Sequence, residues 1–382
     1  MQSFTWRDYT GDSTPTNALS RAICDWQHLK ILKIGIPLAD TAIAHLCSRP
    51  SLSVLQIDPY YLQSSVSMLA LPRDSQPLAS IDSFELIEGA VPEARSGFHD
   101  AVRLLQSRSG HFSSRRFSVT TYSITSKPDI LNLMETSAEC IANKTLTSLV
   151  LRENLGILRV LRGSEKDYAD FDTHAITFTT LKPTFCFENM ESVVLDLERK
   201  VTTNDSELLT IARAWPRLRV LRINPRHGWP APGSRVTFTG MAVVLSALPF
   251  IEDVAIAIDG TTAPPGGEAG EASVTVPDRT RCAPSSLKSL DILNSSVGDI
   301  ASDAAVFLLR LLVNVESCRL QAWMLFAPQV RGEGEAKPET WWRDVFEALN
   351  AMHPGIIASA GRDISPGALS LVDIVDLLHA NA

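Results

Sequence analysis

A chain of 382 residues, 45% apolar and 20% charged, is long enough for several compact domains or for one elongated repeat array, and its composition excludes a chain disordered throughout. The formal net charge of −8 argues against a phosphate-binding face as the main surface, because affinity for nucleic acid rests on Lys and Arg neutralising phosphates. The longest apolar stretches, Met241 to Ile251 and Ala304 to Val313, fall well short of the ~20 residues that cross a bilayer, so no membrane span is expected.

The chain opens on a polar segment containing Asp8 and Asp12, without the basic start and apolar stretch of a secretory signal; a cytoplasmic or nuclear protein is expected. Residues 1–24 read as an N-terminal segment or cap. From residue 25 onward a short phrase of the form L-x-x-L-x-L returns, with Ile, Val, Met, Phe, Tyr or Cys replacing Leu in places. In chain order its copies are Leu29/Leu32/Ile34, Leu52/Leu55/Ile57, Ile81/Phe84/Leu86, Val119/Tyr122/Ile124, Leu146/Leu149/Leu151, Met190/Val193/Leu195, Leu218/Leu221/Ile223, Ile251/Val254/Ile256, Leu287/Leu290/Ile292 and Val315/Cys318/Leu320. Successive copies start roughly 23 to 44 residues apart, overlapping the ~20–29 residue period of leucine-rich repeats but longer and less even.

In three copies a proline stands two residues ahead of the phrase, at Pro50, Pro216 and Pro249. Each follows apolar residues at helical spacing, such as Leu208, Leu209, Ile211, Ala212 and Trp215 before Pro216. Proline lacks the N–H and its ring clashes with the preceding turn, so it marks where helix gives way to strand. The predicted unit is helix, proline turn and short strand, with the alternating leucines of the strand on one inward face. One such unit cannot bury its face alone. Stacking them gives an α/β leucine-rich-repeat solenoid over residues 25–327, with a parallel sheet on the concave side and helices on the convex side. A doubly wound α/β domain also alternates helix and strand, but carries Gly-rich βα loops in place of a fixed leucine phrase.

The repeat weakens between Pro59 and Arg116, and the small, polar, acidic run at about 260–286 reads as a flexible loop. Residues 328–382 read as a polar linker and a C-terminal helical cap, with Trp341, Trp342, Val345, Phe346 and Leu349 on one side of an amphipathic helix.

Chemistry-bearing motifs are sparse. The six cysteines form no C-x-x-C pair and read as reduced thiols, while the eight histidines form no H-x-x-x-H pair. The glycines of the 260–286 loop carry no phosphate-cradling phrase, and no G-x-S-x-G elbow occurs. No catalytic, cofactor-binding or metal residues are expected, and the chain is not expected to be an enzyme. Candidate binding residues follow from the strands instead. Lys33, Gln56, Glu85, Arg222, Asp291 and Arg319 each occupy the middle variable position of a phrase, so stacking should bring them into one column on the concave sheet. A column of mixed charge suits a target protein better than a uniform polyanion. A denser basic run, Arg213, Arg217, Arg219, Arg222 and Arg226 followed by His227 and Trp229, fits either contact with an acidic partner or arginine stems covering a strand edge. Arg222, Trp229 and Trp323 are the expected anchors.

The phrases Trp26-Gln-His-Leu-Lys-Ile-Leu-Lys-Ile34 and Ala214-Trp-Pro-Arg-Leu-Arg-Val-Leu-Arg-Ile223 resemble the leucine-rich-repeat region of fungal, mushroom-type F-box proteins, over roughly Asp25 to Leu320. The resemblance implies a module whose repeats hold a target protein, while an F-box docks onto the Skp1 adaptor of a cullin-type ubiquitin ligase. Other subunits do the chemistry. The F-box phrase itself is not evident before Leu29, and the usual repeat asparagine is missing after Ile57, where Asp58, Pro59 and Tyr60 follow. Skp1 and a cullin are therefore implied partners where an F-box is present or cryptic, and a free-standing repeat scaffold is the alternative.

Overall fold

The structure is a computed structural model that describes residues 3–6, 14–35, 38–47, 51–57, 81–87, 97–106, 113–121, 127–154, 175–197, 199–226, 228–229, 234–261, 283–295, 301–322, 338–352 and 355–360. Pro50, Tyr122, Ile124, His227, Trp323 and residues 262–282 of the expected loop lie outside them. The fold is α/β, and the chain divides into two compact units. One is built on Met1–Thr173 with Thr179–Asn189, the other on His174–Phe178 with Met190–Ala368.

In the first unit the strands are β1 (Ser3–Trp6), β2 (Ile31–Ile34), β3 (Val54–Ile57), β4 (Ser83–Ile87), β5 (Arg116–Thr121) and β6 (Ser148–Glu153). All pair in parallel, and each lies beside its neighbour in sequence. Helices α1 (Thr14–Asp25) and α2 (Asp40–Cys47) touch each other, as do α3 (Gly97–Gln106) and α4 (Lys127–Cys140). In the second unit β7 (Ser192–Asp196), β8 (Val220–Ile223), β9 (Asp253–Ala255), β10 (Ser289–Asp291), β11 (Cys318–Ala322) and β12 (Ile356–Ala360) are likewise parallel and in sequence order. Helices α5 (Asp205–Ala214) and α6 (Phe238–Ala247) pack together, as do α7 (Ala301–Leu311) and α8 (Pro338–Met352). The segments read as N-terminal segment and C-terminal cap thus contain β1 with α1, and α8 with β12.

The leucine phrase sets the register. In β2, β3, β4, β6, β7 and β8 the second and third apolar positions are buried strand residues, as Leu221 and Ile223 are, and the first is buried just ahead of the strand. At Pro216 and Pro249 the expected unit forms. Helix α5 ends at Ala214, the Leu218 amide turns back to the Trp215 carbonyl at 3.1 Å, and Ile251 does the same to Leu248 at 3.2 Å.

Two copies are displaced from the sequence reading. Strand β5 opposes Phe117 to Phe84 and Leu149, and Val119 to Leu86 and Leu151, so that copy begins at Ser114, not at Val119. Ser114 is buried and its hydroxyl donates to the carbonyls of Asp82 and Arg116 at 3.1 and 2.8 Å, which lets a polar residue fill an apolar place. In β11, Leu320 opposes Leu290, two residues on from the phrase position read at Cys318. A two-residue slip keeps every side chain on its face but moves it about 7 Å along the strand.

The turns after the strands of the second unit are closed by side chains. Asn224 is fully buried with φ 52°, a conformation Asn tolerates better than most residues. Its carbonyl accepts from the Leu197 amide at 3.0 Å and its NH2 donates to the Arg199 carbonyl at 2.7 Å. Ser295 accepts from the Ile258 amide at 2.7 Å. Polar groups of one loop thereby satisfy the backbone of the loop before it, as buried backbone requires.

The helix starts are linked too. Asn204 and Glu207 form a reciprocal capping box on α5. Asp205 accepts from the Thr237 amide and hydroxyl, both at 2.7 Å, and so sits at the N-terminus of α6. A Cβ at Gly240 would collide with that carboxylate.

Candidate functional site

The exposed side of each sheet carries the candidate residues. In the first unit the register places Thr5, Lys33, Gln56, Glu85, Ser118 and Val150 in one row across six strands. Three of the expected residues, Lys33, Gln56 and Glu85, are therefore brought together, Gln56 buried between two half-buried charges and so less open to a partner than expected.

In the second unit the corresponding row is Val194, Arg222, Ala255, Asp291, Gln321 and Ser359. Arg222 and Asp291 share it. Arg319 does not: the slip in β11 sets it opposite Ser289, and Gln321 takes its place beside Asp291. Asp291 is also turned to a structural task, its Oδ1 accepting from the Leu293 amide at 2.9 Å in a turn where Leu293 adopts φ 49°.

Three arginines of the basic run, Arg219, Arg222 and Arg226, are paired with carboxylates of adjacent strands. Arg222 Nε donates to Asp253 Oδ1 at 3.1 Å while its Nη2 bonds the other carboxylate oxygen, a two-pronged pair. The Asp253 hydrogen bond raises the guanidinium pKa further above its ordinary value, against the opposing effect of burial. One step nearer the strand starts, Glu252 stands between Lys288 at 2.6 Å and Arg219, whose Nε lies at 2.6 Å. Hydrogen bonds from Lys288 and then Arg219 hold the Glu252 carboxyl below the usual carboxylate range. Arg226 pairs with the buried Asp196. Arg213 and Arg217 are exposed.

No family model matches the chain, and no curated protein matches it. What the side chains can do therefore rests on their geometry. Trp229, expected as a partner anchor, is 1% exposed and donates its indole N–H to the Ile223 carbonyl at 3.0 Å. Asn294 clasps its backbone from both sides at 2.8 Å. It is a core residue because the chain after β8 folds back over the strand end.

Among the described residues no group of three or more His, Cys, Asp or Glu side chains is placed to hold a metal ion. No described helix is long and apolar enough to cross a membrane. The thiols of Cys318 and Cys140 are held in their protonated, poorly nucleophilic form. Burial pushes Cys318 up to about 11, and burial first, then Glu139, raises Cys140.

The sequence reading missed the carboxylates that occupy the arginines. A signal for them exists. Arg219, Glu252 and Lys288 hold the same phrase position in three successive copies, so aligning the copies exposes an alternation of sign that forms cross-strand pairs.

Proposed function

We propose that the chain is a leucine-rich-repeat solenoid that binds a target protein on its sheet face, of the kind that selects substrates in F-box ubiquitin ligases. The observation that carries the reading is the strand order. Within each unit every strand lies beside its sequence neighbour, all parallel, whereas a doubly wound domain reverses direction at a switch point and binds its ligand there. Phrase leucines stacked at the same buried height in strand after strand are what a repeat array requires. The phrases around Leu32 and Leu221 that resemble fungal F-box proteins support the ligase branch, with Skp1 and a cullin as partners and a cytoplasmic or nuclear setting. The module binds and other subunits catalyse.

A second reading, a free-standing repeat scaffold with no ubiquitin link, draws on β1 and α1. Ser3–Trp6 pairs with β2 and Thr14–Asp25 packs on α2, so residues ahead of the first phrase extend the sheet.

Affinity capture of the tagged chain from a fungal lysate, with partners identified by mass spectrometry and Skp1 binding repeated with purified protein, separates the two. Direct Skp1 binding is the expected result for the ligase subunit. Stable capture of other proteins without Skp1 overturns that branch and leaves the scaffold.

A further inference from the structure

The sheet face of the first unit holds charged groups of a different status. Arg116 at the start of β5 and Arg152 near the end of β6 are both exposed, and among the described residues neither guanidinium has an ion pair or hydrogen bond. Alternation puts both on the side facing away from the core, since Phe117, Val119, Leu149 and Leu151 are buried. Register sets Arg116 opposite Ser148 and Thr120 opposite Arg152. The two cations therefore lie four residues apart along the strand direction, about 13 Å, and one strand spacing, about 4.8 Å, across it.

The floor between them is made of Ser118, Thr120 and Ser148, half-buried hydroxyls with no hydrogen bond inside the chain among the described residues, together with the half-buried Val150 opposite Ser118. Two cations and three available hydroxyls form a surface that accepts carboxylates.

Resting on the target-binding reading above, we infer that this face is the docking surface for an acidic, extended segment of a target protein, with carboxylates about four residues apart. An extended segment advances about 3.3 Å per residue, so carboxylates at that spacing meet both guanidiniums. The neighbouring Glu85 on β4 and the net charge of −8 disfavour a long polyanion, which needs many phosphate contacts. Arg222 and Arg219 of the second unit offer less, because a ligand carboxylate must displace Asp253 or Glu252.

The test is fluorescence anisotropy of the full chain with a labelled ten-residue peptide of alternating Glu and Ser, beside a duplex oligonucleotide. Peptide binding that weakens with salt and falls about tenfold or more in the Arg116→Ser/Arg152→Ser variant is expected, with Arg219→Ser/Lys288→Ser leaving it unchanged. Circular dichroism on both variants confirms folding, and Arg116→Lys/Arg152→Lys should restore part of the binding. Absent peptide binding, equal loss in the two variant pairs, or tighter binding of the duplex overturns the proposal. Skp1 binding is read separately, so failure here is distinct from failure of the ligase reading.

Discussion

The two sheet faces are built on the same repeated phrase and differ in how many of their cations a carboxylate already holds. In the second unit Arg219, Arg222, Arg226 and Lys288 each find a carboxylate on an adjacent strand or loop, while the exposed Arg319 has no partner among the described residues. In the first, Arg115 reaches Asp82 at 3.7 Å, but Lys33, Arg116 and Arg152 have no partner among the described residues. The run richest in arginine is thus the less available to a ligand. Charge density in sequence measures neither availability nor affinity; the register decides which cations are already occupied.

The largest test of this contrast concerns Trp229, which sequence position marks as a surface anchor and packing marks as core. Trp229→Ala should cost about 3–5 kcal/mol in urea unfolding, as removal of a fully buried aromatic does. Trp229→Phe should recover most of that but leave the Ile223 carbonyl without its indole donor. A stable Trp229→Ala protein would return the residue to the binding face and remove the distinction between the units at that point.

Strand positions were legible in the sequence because the core requires apolar residues at fixed alternation, and eight of the ten phrase copies lie in the register expected of them. The two displaced copies show the limits of that signal. Ser114 satisfies its hydroxyl on backbone carbonyls and so breaks the apolar pattern without breaking the strand. Cys318 is apolar enough to pass for the phrase residue that Leu320 occupies. Strands β1 and β12 were illegible because Ser3–Trp6 and Ile356–Ala360 lack the phrase and gain their place by pairing. For the site, position within a strand was readable and pairing was not, since Asp253 lies 31 residues from Arg222.

A smaller effect sharpens the comparison directly. Arg222→Ala removes a two-pronged pair whose arginine is 43% exposed, so solvent screening limits the loss to at most about 1 kcal/mol. Arg152→Ala removes an unpaired exposed side chain and should change stability by less than about 0.5 kcal/mol. Thermal melts at low and high salt check both: the Arg222 difference should shrink with salt and the Arg152 difference should not. Equal salt response in the two variants would mean that the ion pairs of the second unit do not distinguish its face.

The smallest effect is a pH window at Glu252. Its folded pKa is lowered by Lys288 and Arg219, so the unfolded carboxyl, near 4.3, takes up its proton first as pH falls. The stabilisation from this carboxylate is therefore fully present above that value and is lost as pH drops through it and then through the lowered folded value. Glu252→Gln keeps the shape and removes the charge. The stability gap between the parent protein and the variant should be open at pH 7, narrow below about pH 4.3, and close at pH 7 in high salt, because Arg219 and Lys288 are exposed. A gap that is constant from neutral to acid pH would assign Glu252 a packing role, and the alternating row of Arg219, Glu252 and Lys288 would then be a consequence of the register with no electrostatic hold on it.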